Sequence, residues 1–124
     1  MANITVSCVD TVKSRINIEA LLCSAERKSA QRDSNLYLLD FGNSKETGQV
    51  LLSTIGEIAQ PESKKFNTVA VLPSWLKEYP PLLDESLDND DTQNCSLAEA
   101  LEKQDLFINS ALVNFGASLL WKMF

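Results

Sequence analysis

This chain of 124 residues contains no histidine. The absence removes Ser-His-Asp and Cys-His catalysis, imidazole general-base chemistry and histidine metal ligation. Cysteine is scarce: three residues, Cys8, Cys23 and Cys95, with no CxxC spacing. An odd count excludes a complete internal disulfide framework, and the spacing does not fit a structural zinc site. Cys8 and Cys23 stand among apolar residues and are expected to be packed thiols. There are four glycines, and no Gly-rich phosphate loop or internal repeat is present. Basic patches interleaved with aromatics are also missing, so direct nucleic-acid binding is not expected. The N-terminal stretch has no basic region followed by an apolar run, as a signal peptide would require. A cytoplasmic protein without a cofactor is the simplest expectation.

Long apolar runs are nearly absent too. Residues 106–121 carry no charge. A spanning helix needs about 20 mainly apolar residues, and Asn109 and Asn114 would bring costly amides into lipid. The stretch is expected to be a helix packed on the core. A partner-binding helix and a membrane anchor are the two alternatives.

What the sequence does have is a lopsided charge. The formal net charge is −6. Residues 1–77 carry nine Lys/Arg against eight Asp/Glu, whereas residues 78–124 carry two lysines against nine acids. The acidity is therefore local, which disfavours nucleic acid and anionic membrane and favours a basic protein surface.

The apolar pattern implies a single α+β domain spanning 1–124. A sheet-rich part (1–81) is followed by an acidic loop (82–95) and a helical part (96–124). Residues 3–9 are short and β-branched, hence a strand. Ile18, Leu21, Leu22 and Ala25 follow helical spacing, with Asn17 as the N-cap and a fade into 31–35. Arg27, Lys28 and Arg32 then suit the negative end of that helix. Residues 36–42 read as a buried strand ended by Gly42. Residues 49–55 fit its hairpin return, with a helix through Leu51, Ile55, Ile58 and Ala59 as the alternative. Residues 66–72 alternate as a further strand, and 73–81 form a short turn of helix capped by Ser74 and stopped by Pro80 and Pro81. The expected fold is a small, mostly antiparallel sheet of three or four strands. An N-terminal helix and a long C-terminal helix pack on it.

The last helix is expected to begin at Ser96, where Ser96 and Glu99 make an S-x-x-E capping box. Ile108, Leu112, Phe115 and Leu119 mark its apolar face. Ser110, Asn114, Ser118 and Lys122 recur every four residues as a polar line. Gly116 interrupts the helix and either kinks it or permits close packing.

Three functional readings follow. The leading one is a non-enzymatic interaction module: an adaptor, a chaperone-like subunit, or an acidic inhibitor of a basic partner acting by nucleic-acid mimicry. Trp75 and Tyr79, four apart, would anchor the partner, with part of the last helix beside them. Asp84, Glu85, Asp88, Asp90 and Asp91 would steer it. The second reading is calcium binding. Asp88, Asp90, Thr92, Asn94, Ser96 and Glu99 occupy the ligand positions of a 12-residue loop, so this stretch resembles an EF-hand loop. It departs from that pattern at Gln93, where the loop's sharp turn takes glycine, and at Pro80 and Pro81, where a helix should enter. No second loop is present. The third reading is an enzyme working through Asp40 or Glu57 with a raised pKa.

Overall fold

A computed structural model describes residues 3–26, 34–43, 47–78 and 107–124. In chain order the elements are β1 (Ile4–Ser7), α1 (Val12–Glu26), β2 (Tyr37–Asn43), β3 (Gly48–Thr54), α2 (Trp75–Glu78) and α3 (Ile108–Met123). The strands form one sheet in the order β1-β2-β3. The class is α+β, and the sheet is mixed, its longer pairing antiparallel and its shorter one parallel. β1 runs parallel to β2, pairing Ile4 with Tyr37 and Ser7 with Asp40. β2 and β3 form the antiparallel hairpin, pairing Tyr37 with Thr54 and Asn43 with Gly48. The mixture has a simple cause: a helix connects β1 to β2, and such a crossover returns the chain in the same direction.

α1 starts at Val12, six residues before the expected Ile18. The cap is Thr11, not Asn17: its hydroxyl accepts a hydrogen bond from the Ser14 amide at 3.2 Å. The helix face turned inward is mixed rather than apolar, with Ile18 and Leu22 only half-buried. Val12 and Glu19 are buried while Leu21 is 67% exposed. The two cysteines near this helix also depart from expectation. Cys8 and Cys23 are exposed, outside any disulfide, rather than packed. Cys95, Arg27, Lys28 and Arg32 lie outside the described residues.

β2 continues through Gly42 to Asn43 instead of ending at the glycine. β3 is a strand, as the hairpin reading expects. Its exit is a turn at Gly56, whose φ of 77° is a backbone conformation that favours glycine. Residues 66–72 form no strand. Phe66, Val69 and Val71 are all more than half exposed. Two bonds tie this segment down: the Ile58 amide donates to Ala70 O at 2.9 Å and the Leu72 amide to Thr54 Oγ1 at 3.0 Å. One of the two ends on a side chain, so no ladder forms, and the alternating pattern finds no second face to bury. α2 occupies the short turn expected between prolines. Its Ser74 hydroxyl does not turn back to cap it but donates to Glu19 Oε1 of α1 at 2.7 Å.

Strand residues alternate between faces, so the sheet has two distinct sides. Leu38, Asp40 and Gly42 face α1; Leu39, Phe41 and Asn43 face α3. Val12, Leu38, Leu39, Ile55 and Leu112 make the buried apolar core. No described helix is long and apolar enough to cross a membrane.

Candidate interaction surface

The α1 side of the sheet is polar and closed. Arg15 reaches from α1 over β2, where its Nε donates to Asp40 Oδ2 at 2.9 Å. Its Nη2 donates to Val9 O at 2.6 Å and Phe41 O at 3.0 Å. Both side chains are largely removed from water, with 11% and 2% exposure for Arg15 and Asp40. One turn on, buried Glu19 accepts from Ser74. The guanidinium thus fastens the crossover helix to two strand ends, and the carboxylate supplies its counter-charge. Ser7 and Ser53 also point into this layer, and their hydroxyls have no hydrogen-bond partner among the described residues.

Asp40 and Glu57 are the two candidate catalytic carboxylates. Asp40 is held by Arg15 beneath α1, whereas Glu57 is exposed after the turn that follows β3. The two therefore sit in opposite environments. Among the described residues, no group of three or more His, Cys, Asp or Glu could hold a metal ion.

The α3 side is apolar and half open. Helical spacing places Leu112 and Gly116 against the sheet, both buried. A Cβ at Gly116 would run into the Phe41 ring, so the glycine exists to let the helix approach β2 closely. It does not break the helix, which continues to Met123. Asn43 Nδ2 donates to Asn109 Oδ1 at 2.6 Å and fixes the helix start over the hairpin. Toward the β3 edge, α3 leaves a groove of about 410 Å³ between Gly48 and Val50 on one side and Ile108, Phe115, Leu119 and Lys122 on the other. Toward β1, Val6 stays 56% exposed.

The expected polar line is observed: Ser110, Asn114, Ser118 and Lys122 are all exposed. So are residues the periodicity did not single out. Val113 is 62% exposed, Phe115 64%, Trp121 82% and Phe124 91%. Phe115, expected on the core face, sits at its margin beside the groove. A helix apolar on most sides is ordinarily buried on most sides. Here only one side is.

The interface side chains proposed from sequence lie outside the described residues. Trp75 opens α2, with its side chain outside the described residues. Tyr79, Asp84, Glu85, Asp88, Asp90 and Asp91 lie outside them altogether. So do the calcium-register residues Thr92, Asn94, Ser96 and Glu99, including the capping box. The signal that marks α3 was present in the sequence: an uncharged run longer than one core-facing stripe requires. Compared with family models, characterised proteins and solved structures, the chain matches none.

Proposed function

We propose that this chain is a non-enzymatic protein–protein interaction module whose apolar anchor is the outer side of α3. The observation that carries the reading is Trp121, 82% exposed on a helix that has no charge before Lys122. Contiguous exposed apolar surface marks binding sites, and tryptophan is the residue most enriched among interface hot spots. The acid-rich tract 82–94 supplies the second element. With five acids and no base, it suits attraction to a basic protein surface and raises the rate of encounter. An adaptor, or an inhibitor that presents carboxylates in place of phosphates, uses both elements together. Exposed Cys8 and Cys23, outside any disulfide, suit a reducing compartment such as the cytoplasm.

The test is affinity capture from the native cell at low and high salt with three proteins: the natural chain, Trp121→Ser, and a triple change of Asp88, Asp90 and Asp91 to Asn. The reading expects Trp121→Ser to lose the partner at both salt concentrations. The triple variant should lose it most at low salt, because charge attraction is screened as salt rises. Equal recovery of one partner by all three proteins would contradict it.

A further inference from the structure

The outward surface of α3 has an internal symmetry. Ser110, Val113, Ala117, Trp121 and Phe124 all stand exposed. Their spacings of three, four, four and three place the first four along one stripe of the helix, and Phe124, its C-cap, continues that stripe. The stripe is positionally palindromic about Ala117: Val113 and Trp121 lie four residues to either side, Ser110 and Phe124 seven. Its two halves differ in size. The half before Ala117 holds the small Ser110 and Val113; the half after it holds the two large aromatics. Lys122 points to the other flank, lining the groove with Gly48 and Val50, so no charge interrupts the stripe.

We infer that the stripe is the seam of an antiparallel pairing of α3 with α3 of a second copy of this chain, about a two-fold axis at Ala117. The inference rests on the interaction reading above and names the occupant of that surface. An antiparallel axis at Ala117 sets Val113 against Trp121 of the second copy and Ser110 against its Phe124. Every large side chain then meets a small one, and the helices cross where the side chain is only a methyl group. A two-fold interface must be self-complementary in this way. A parallel pairing would stack Trp121 on Trp121 and Phe124 on Phe124, and leave Ser110 facing Ser110. The antiparallel arrangement also sets each helix's positive end beside the other's negative end.

The area is that of a small interface. Trp121 is 82% and Phe124 91% exposed, and a fully buried aromatic side chain covers roughly 150–250 Å². Four aromatics from two copies bury at most roughly 600–1,000 Å², which with Val113 and Ala117 stands at the lower bound of about 1,000 Å² for a specific interface. The dimer is accordingly expected to be reversible. It would present two acid-rich tracts at once and strengthen binding to a multivalent basic partner without new contacts.

The test is sedimentation equilibrium of the whole chain from low to high micromolar concentration, alongside Ala117→Glu. The expected result is a monomer–dimer equilibrium that Ala117→Glu weakens on the order of 100-fold, since the new carboxylates would be desolvated face to face. Ala117 is exposed in the single chain, so far-UV circular dichroism and the thermal midpoint of dilute, monomeric protein should not change. Orientation is read from nitroxide labels on Ser110→Cys, with Cys8, Cys23 and Cys95 replaced by serine. Antiparallel helices hold the two labels about 20 Å apart along the axis, and parallel helices about 10 Å. A chain monomeric throughout, a dimer that Ala117→Glu leaves intact, or the shorter label distance would each overturn the proposal. So would a monomer whose Trp121 responds to phosphatidylcholine vesicles. If the chain is monomeric yet Trp121→Ser still abolishes partner capture, the self-pairing fails and the interaction reading stands. If the chain dimerises while capture is untouched, the self-pairing stands and the wider reading fails.

Discussion

The two faces of the sheet are covered by helices of opposite chemistry. Under α1 the contacts are specific and ionic: one guanidinium, one carboxylate and two backbone carbonyls, with a second carboxylate taking a serine hydroxyl. Under α3 they are apolar and steric: a leucine, a glycine against a phenylalanine ring, and one amide pair at the helix start. The first helix directs its polar residues inward and leaves Leu21 exposed. The last helix directs two residues inward and leaves its aromatics in water. A buried ion pair is tolerated only with its hydrogen bonds made, and Arg15 and Glu19 make theirs inside the α1 face, while the Ser7 and Ser53 hydroxyls there find no partner among the described residues. Apolar surface has no such requirement, so the α3 face is free to be completed by something else.

That contrast can be broken most severely at Asp40. Asp40→Ala leaves the Arg15 guanidinium buried without its counter-charge and should cost about 3–5 kcal/mol, read as the shift in urea unfolding. The double change of Arg15 and Asp40 to leucine should recover most of the loss, because well-packed apolar pairs replace buried ion pairs at little cost. A double variant as unstable as the single one would show that the pair does more than neutralise itself.

On the other face, Leu112→Ala should cost about 2–5 kcal/mol as a buried leucine truncation. Gly116→Ala sharpens the point. In an exposed helix, glycine to alanine gains up to about 1 kcal/mol. Here the added methyl meets the Phe41 ring, and overpacking should turn the change into a loss of about 1–3 kcal/mol. Phe41→Leu in the same chain should relieve it. A gain on Gly116→Ala alone would mean that α3 does not approach β2 as closely as the geometry states.

Trp121→Ser should leave unfolding of dilute protein within about 0.5 kcal/mol of the natural chain, as exposed positions do. The smallest effect belongs to Ser53→Ala. The Ser53 hydroxyl is buried with no partner among the described residues, so removing it should gain up to about 1 kcal/mol. A clear loss would reveal a hydrogen bond to that hydroxyl.

The hairpin and the apolar face of α3 were legible because simple physics produces them. Residues 36–42 and 49–55 are apolar segments joined by a polar loop, and Ile108, Leu112 and Leu119 follow helical period. α1 was misread for an equally physical reason. Its inward positions are Val12, Arg15 and Glu19, two of the three charged, so a search for apolar spacing finds the exposed Leu21 instead and starts the helix late. The parallel pairing of β1 went unseen because direction is set by the crossover, not by strand composition. Residues 66–72 alternate like a strand, but alternation becomes structure only when a second surface buries one side. At the candidate surface, the polar line every four residues was legible, and the stripe beside it was not. Apolar residues there look like more core until the sheet is seen to be too narrow to cover them.

The most direct test follows Trp121 alone, by acrylamide quenching of the Trp75→Phe chain across a range of protein concentrations. The account predicts ready quenching in dilute solution, as 82% exposure requires, and growing protection as concentration rises and the α3 stripes meet. Protection already complete in dilute solution would mean that α3 is packed within the single chain. Full quenching at every concentration would mean that no second copy covers the stripe.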